Sequence, residues 1–237
     1  MESGKLNKII CVIPARSGSK GLKNKNILHL SNEPLIARVI KYALRSKKID
    51  EVVVSTDSSK IAKIANKYGA KTPFIRPKKL AKDLTTTEDT LKHALLECEK
   101  IFNLKYDICI YLSPTDIFRS PNWIDLSIDK LIKNQKLESV FVGYETHKNF
   151  WEFNKGRWSL LKPWMKVYSS RQVRKKIVRE DTGLCCASRA SLWRKGKRIG
   201  SNVDIIINKN DLSFVDIHEK RDLKLANLII KNKIDKT

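Results

Sequence analysis

The segment Pro14-Ala15-Arg16-Ser17-Gly18-Ser19-Lys20-Gly21-Leu22-Lys23-Asn24-Lys25-Asn26 sets small residues beside cations at Arg16, Lys20 and Lys25. Small side chains let a backbone come close to a polyanion. Its N–H groups and the basic side chains can then hold phosphate oxygens. The apolar run Ile9 to Ile13 just before it reads as a β-strand, so this is the loop at the carboxyl end of that strand, where open α/β sheets bind ligands. Neither G-x-x-x-x-G-K-[ST] nor G-x-G-x-x-G can be read through Gly18 or Gly21, which disfavours a simple NTPase and a dinucleotide enzyme.

The elements that would carry this loop follow an alternating pattern. Pro34 can serve as a first helical residue, and Leu35, Ile36, Val39, Ile40, Ala43 and Leu44 recur at helical spacing. Glu51 to Asp57 reads as a buried strand ending in polar residues. Ile61, Ile64, Ala65 and Tyr68 then mark a helix closed by Gly69. Thr72 to Arg76 reads as a short strand, and Thr85-x-x-Glu88 as a capping box for a helix with Leu91, Ala94, Leu95 and Cys98 on its apolar face. Asp107 to Leu112 is an apolar strand that delivers Ser113-Pro114-Thr115-Asp116 to the same edge, before a helix starting at Ser120-Pro121.

A strand from Ser139 to Tyr144 follows, then strands near Leu184 to Ser188, Val203 to Ile207 and Ser213 to Ile217, and a helix from Glu219 to about Lys231. Such alternation predicts an α/β fold, a mostly parallel twisted sheet with helices on both faces, in one domain spanning 1–237. From about His147 to Glu180 the rhythm breaks. A hairpin around Asn154-Lys155-Gly156-Arg157, with Trp151, Phe153, Trp158 and Trp164, reads as an insertion whose aromatics either cover the core or meet a partner.

The chain has 237 residues, 41% hydrophobic, enough for a substantial core. No segment approaches the roughly 20 uninterrupted apolar residues that cross a bilayer, and the Met1-Glu2-Ser3-Gly4-Lys5 start lacks a signal peptide's apolar stretch, so the expectation is a cytoplasmic protein without a membrane partner. Cys11, Cys98, Cys109, Cys185 and Cys186 form no C-x-x-C pair and sit mostly in apolar runs, as reduced core residues do. The net charge of +23, from 48 Lys plus Arg against 25 Asp plus Glu, invites a nucleic-acid reading. The charges are scattered, however, with no basic tail and no aromatic-basic repeat. A lysine-rich surface around a cleft for polyanionic small molecules is therefore preferred to a nucleic-acid partner.

The opening motif resembles that of the acylneuraminate cytidylyltransferases, the family that activates nine-carbon acidic sugars with CTP. The resemblance continues in order through Ser55-Thr56-Asp57, Arg76-Pro77, Leu80-Ala81-x-Asp83, Ser113-Pro114-Thr115, Ser170-Arg171-Gln172, Thr182-Gly183 and Val215-Asp216-Ile217. It implies a nucleotide-diphospho-sugar transferase-like, Rossmann-like fold. It also implies a reaction in which the anomeric hydroxyl of a 2-keto sugar acid attacks the α-phosphorus of CTP, giving a CMP-sugar and pyrophosphate.

By the same resemblance, Arg16, Lys25 and Asp216 are catalytic. Ala15, Arg16, Ser17, Gly18, Ser19, Lys20, Lys25, Asn26, Arg76 and Asp83 bind the nucleotide, although Arg76 beside Pro77 could equally stabilise a loop. Ser113, Thr115, Arg171, Gln172, Arg179 and Thr182 face the sugar, and Arg supplies the planar fork that a carboxylate needs. In the resembled family the region matching about 147–180 helps make a dimer, so the resemblance implies a homodimer.

The expected cofactor is Mg²⁺, held by one or two carboxylates with phosphates and waters. Asp216 leads as its ligand, ending an apolar Phe214-Val215 strand, with a helix cap as the alternative. Here the chain departs from the family's Asp-Ile-Asp, reading Asp216-Ile217-His218. Imidazole is a poor magnesium ligand, so His218 contacts metal-bound water or phosphate, favours Mn²⁺, or marks a changed site. The family's Leu-Gln-Pro-Thr-Ser-Pro is Leu112-Ser113-Pro114-Thr115-Asp116-Ile117 here, so Asp116 either replaces the lost acid at the metal or binds a polar sugar substituent. Rival readings are activation of an eight-carbon keto-deoxy sugar acid and a divergent member that binds nucleotide without turnover.

Overall fold

A computed structural model describes residues 7–19, 21–170 and 172–232. In chain order the elements are β1 (Ile9–Pro14), β2 (His29–Leu30), β3 (Glu33–Pro34), α1 (Leu35–Leu44), β4 (Glu51–Ser55), α2 (Ser59–Lys67), α3 (Thr87–Ile101), β5 (Ile108–Tyr111), α4 (Trp123–Lys133), β6 (Ser139–Thr146), β7 (Trp151–Asn154), β8 (Arg157–Leu160), β9 (Ile177–Glu180), β10 (Cys186–Arg189), α5 (Ala190–Arg194), β11 (Val203–Asn208) and α6 (Lys220–Lys231).

The main sheet has the order β11-β6-β10-β5-β1-β4, with β9 added on β6. β1 lies parallel to β4 and β5, and β6 lies parallel to β11. Only β10 and β9 run against their neighbours. The mostly parallel sheet expected from the alternation is therefore present, with its two reversed strands at the end of the insertion and just after it.

The period-two pattern of the strands explains the layers. Ile9, Cys11 and Ile13 of β1 point into a cluster with residues of α1, α2 and α4, including Ile36, Ile40, Ile61, Trp123 and Ile128. Ile10 and Val12 point the other way, against Leu91, Leu95 and Cys98 of α3 and Trp193 of α5. Because both faces of β1 are covered, its sequence is a continuous apolar run. A third cluster, with Leu22, Leu30, Phe118, Val215, Ile217 and Ile229, lies under the loops and ties α6 to the edge where ligands would bind. All five cysteines are buried and unpaired, as their apolar contexts suggested.

Several local expectations shift. Thr72 to Arg76 forms no strand; only Lys71 bridges to Val53, and Pro73 and Pro77 remove ladder donors. The helix cap near residue 85 moves by one, since Thr86 accepts from the Asp89 N–H at 3.0 Å while Glu88 pairs with Arg198 at 3.3 Å. Pro34 is the N-cap of α1 rather than its first residue, and α4 begins at Trp123 rather than at Ser120-Pro121. The expected strand Ser213 to Ile217 is also replaced. The Asn210 side chain accepts from the Leu212 N–H at 2.9 Å and starts a 3₁₀ turn over Asp211–Phe214, leaving Phe214 exposed and a single bridge between Asp216 and Asp116.

Candidate active site

The loop after β1 is cross-bonded along its length. Ala15, fully buried, continues the strand pairing by donating its N–H to Ser55 at 2.9 Å. Ser17 donates twice to Asp57, from its N–H at 2.8 Å and its hydroxyl at 2.7 Å. Burial works against an ionised Asp57, but those two hydrogen bonds outweigh it and hold the carboxyl below its ordinary value. Asn26 is buried and donates to the Arg16 carbonyl at 2.9 Å, so the two ends of the loop are tied together. Asn24 takes the left-handed conformation at φ 58° ahead of the 3₁₀ turn Lys25–Ile27.

Gly21 is required by contact. A β-carbon there would lie 2.5 Å from the His218 carbonyl oxygen, backbone against backbone. Gly183 similarly leaves room for Asp116 and Ser113. A β-carbon on Gly18 would meet nothing, so glycine there is not a steric need of the folded loop.

A cleft of about 530 Å³ opens where β1 and β5 end. Of the expected nucleotide residues, Arg16, Ser19, Lys25, Asn26, Arg76 and Asp83 line it. Ser17 and Gly18 line a neighbouring hollow instead, and Ala15 contributes only backbone. Lys20 and Arg171 lie outside the described residues. On the sugar side Ser113 and Thr115 line the cleft, their hydroxyls 2.9 Å apart, and so does His218.

The remaining sugar-side residues are placed elsewhere. Thr182 is buried with its hydroxyl donating to Glu180 at 3.4 Å, and Gln172 is exposed. Arg179 makes a two-pronged pair with Asp181 at 2.7 and 2.9 Å, which raises its pKa further.

Charge is distributed unevenly over the cleft. Arg16 pairs with Asp83 at 2.9 Å. Arg76 is buried and donates to the Thr90 hydroxyl at 3.1 Å, while its Nε and Nη2 have no partner. Burial lowers the pKa of Arg76 and of Lys25, and for Lys25 the carboxylates of Asp216 and Asp116 pull back. Asp116 and Asp216 face one another across their bridge. Burial, then the charge of Asp216, pushes Asp116 up to about 6. Asp216 has one oxygen 2.7 Å from His218 Nε2 and the other buried without a partner.

Among the described residues no group of three or more His, Cys, Asp or Glu forms a complete metal cage. Magnesium asks for less, one or two carboxylates with phosphates and waters, and the orphaned Asp216 oxygen beside Asp116 fits that requirement.

Sequence reasoning missed Arg119. Its Nε donates to Leu184 O at 2.7 Å, and its Nη2 to Gly183 O at 2.8 Å and to Ser113 O, so one guanidinium clamps the loop carrying Thr115 and Asp116. It lies two residues beyond the Leu112 to Ile117 segment matched to the family. It also missed Lys82 and the Thr85-Thr86-Thr87 run at the start of α3, which line the cleft opposite the phosphate loop. The run of hydroxyls beside a helix N-terminus was the available signal.

Comparison with known proteins agrees with this geometry. The cytidylyltransferase family model matches residues 10–215. Post-translational flagellin modification protein B of Campylobacter coli is 31% identical over 231 residues, covering 96% of this chain and 97% of that protein. A pseudaminic acid cytidylyltransferase of Campylobacter jejuni is 39% identical over 128 residues, about half of each chain, 54% of this one and 55% of that one. Among solved structures, a CMP:2-keto-3-deoxy-manno-octonic acid synthetase complexed with CTP superimposes with a TM-score of 0.69 over 95% of this chain and 99% of that one, at 15% identity, a likeness of fold. The phosphate loop at the end of β1, the doubly covered sheet and the match over most of the chain lead to one conclusion: this chain belongs to the cytidylyltransferase family.

Proposed function

We propose that the protein transfers CMP from CTP to the anomeric hydroxyl of an acidic 2-keto sugar of the nonulosonate class, of sialic, legionaminic or pseudaminic type, with release of pyrophosphate. The observation that carries this reading is Lys25, which lines the cleft with Arg16 and feels the carboxylates of the bridged Asp116 and Asp216, in a chain of the cytidylyltransferase family. Negative charge grows on the departing pyrophosphate. Arg16, Lys25 and the loop N–H groups offset it, in a transfer catalysed by positioning and electrostatics.

Arg16 leaves Asp83 to meet phosphate, and the unpartnered Nε and Nη2 of Arg76 supply donors for the cytidine. Asp216 and Asp116 would hold Mg²⁺, which would supply neutralisation of the triphosphate charge. His218, hydrogen-bonded to Asp216, orients that carboxylate rather than binding the metal itself. Arg171 and Gln172 are the residues assigned to the sugar carboxylate by the family resemblance.

The exposed Trp151, Phe153 and Trp158 of the β7–β8 hairpin support a homodimer. Five unpaired cysteines and the need for CTP support a cytoplasmic setting. Among the described residues no helix is long and apolar enough to cross a membrane.

Mass identification of the product from CTP and each sugar acid tests the reading. A CMP-nonulosonate is expected. A CMP adduct of only the eight-carbon keto-deoxy acid would replace the substrate class. One observation favours a second reading, nucleotide binding without turnover: His218 occupies an oxygen of Asp216 where the family's pattern has a further carboxylate. CTP binding with no product from any sugar would select it.

A further inference from the structure

A second cavity, of about 320 Å³, lies between α1 and the Ile117–Arg119 segment and shares no lining residue with the active cleft. Its walls are Arg38 and Tyr42 of α1 with its C-cap Arg45, Arg119 opposite, and Glu33 and Asn210 at the rim, over a floor of Ile117 and Phe118. The spacing 38, 42, 45 is helical, so three side chains project together.

The guanidinium groups here are short of acceptors. Arg38 Nε is buried with no hydrogen-bond partner, and among the described residues no ion pair engages Arg38 or Arg45. Arg119 spends Nε and Nη2 on the Leu184, Ser113 and Gly183 carbonyls and stacks over the Tyr42 ring at 5.5 Å, while among the described residues its Nη1 makes no hydrogen bond. The one carboxylate at the rim, Glu33, is paired with Lys41. A buried donor without an acceptor is costly to leave, and converging arginine forks match phosphate oxygens better than any neutral group.

We propose that this cavity is a second anion site, separate from the active cleft, that takes a phosphate or diphosphate group on Arg38, Arg45 and the free edge of Arg119. Because Arg119 also clamps the carbonyls of Ser113 and Gly183, an anion there bears on the loop that carries Asp116. The proposal does not depend on which sugar the protein activates.

Isothermal titration of the full chain with orthophosphate, pyrophosphate and CMP, for wild type and R38Q/R45Q, tests it. Pyrophosphate is expected to fill two classes of site in wild type. R38Q/R45Q should weaken one class by about tenfold or more, with CTP affinity and thermal midpoint unchanged. The ligand with the largest loss, among orthophosphate, pyrophosphate and CMP, identifies the source of the phosphate. Should the double variant unfold, R45Q alone carries the test, since Arg45 is exposed. Isotherms that superimpose for wild type and variant overturn the proposal, as does a single class of site that R16Q abolishes and R38Q/R45Q leaves intact.

Discussion

The loop after β1 is cross-bonded before any ligand arrives, whereas the segment inserted after β6 is largely exposed chain. Around the phosphate loop, Asp57 holds Ser17, Asn26 holds the Arg16 carbonyl, and the Gly21 backbone lies against His218. In the segment inserted after β6, Trp151, Trp158, Val167, Tyr168 and Val173 are exposed to solvent. Fixed charges suit a step whose barrier falls through preorganised electrostatics, while the choice of sugar rests on a few side chains that can vary. Substitutions on the two sides should therefore fail differently.

The largest effect is expected from Gly21→Ala. Two backbones must part, so stability should fall by about 1–3 kcal/mol and turnover by about a hundredfold or more, read by thermal unfolding and initial rates. Wild-type rates would show that the loop has room to move. Lys25→Ala should cost about 10²–10³ in kcat/KM, because it removes a cation that lines the cleft.

On the sugar side Arg171→Ala should raise the KM for the sugar acid about tenfold or more and leave that for CTP alone; equal losses for both substrates would assign Arg171 a structural role. Asp116→Asn should raise the magnesium concentration at half-maximal rate by about tenfold. It should also change stability with a definite sign. Asp116 is pushed up to about 6, so the folded protein binds more protons than the unfolded chain between about pH 4 and 6, and this residue's contribution to stability falls as pH rises through that window. Above it the Asn variant should be more stable without metal, by on the order of 1 kcal/mol, and below pH 4 the two should converge. The smallest effect belongs to Arg179→Ala. Its pair with Asp181 is half exposed, so stability should change by less than about 1 kcal/mol and the sugar KM by a few-fold.

The same contrast explains what could be read from the sequence. The order of strands and helices was legible because β1, β4 and β5 are continuous apolar runs, and α1 and α3 keep a helical stripe. The place of the basic loop at the end of β1 was legible because an apolar run leads directly into its small residues and cations. Asp216 was placed at the right edge for the wrong reason, since a 3₁₀ turn started by Asn210 and a single bridge to Asp116 hold it rather than a strand. Arg119 was invisible because its partners are carbonyls far along the chain, at Leu184 and Gly183. Residues that act on backbone leave no pattern of side-chain types.

The most direct measurement is pyrophosphate release from CTP, ATP, GTP and UTP with magnesium, against a panel of nonulosonic acids and an eight-carbon keto-deoxy acid. The account predicts release from CTP alone, driven by a nonulosonic acid, with a CMP-sugar as product. No release from any pair while CTP still binds would contradict it, and would point to the change at Asp216-Ile217-His218 as the reason.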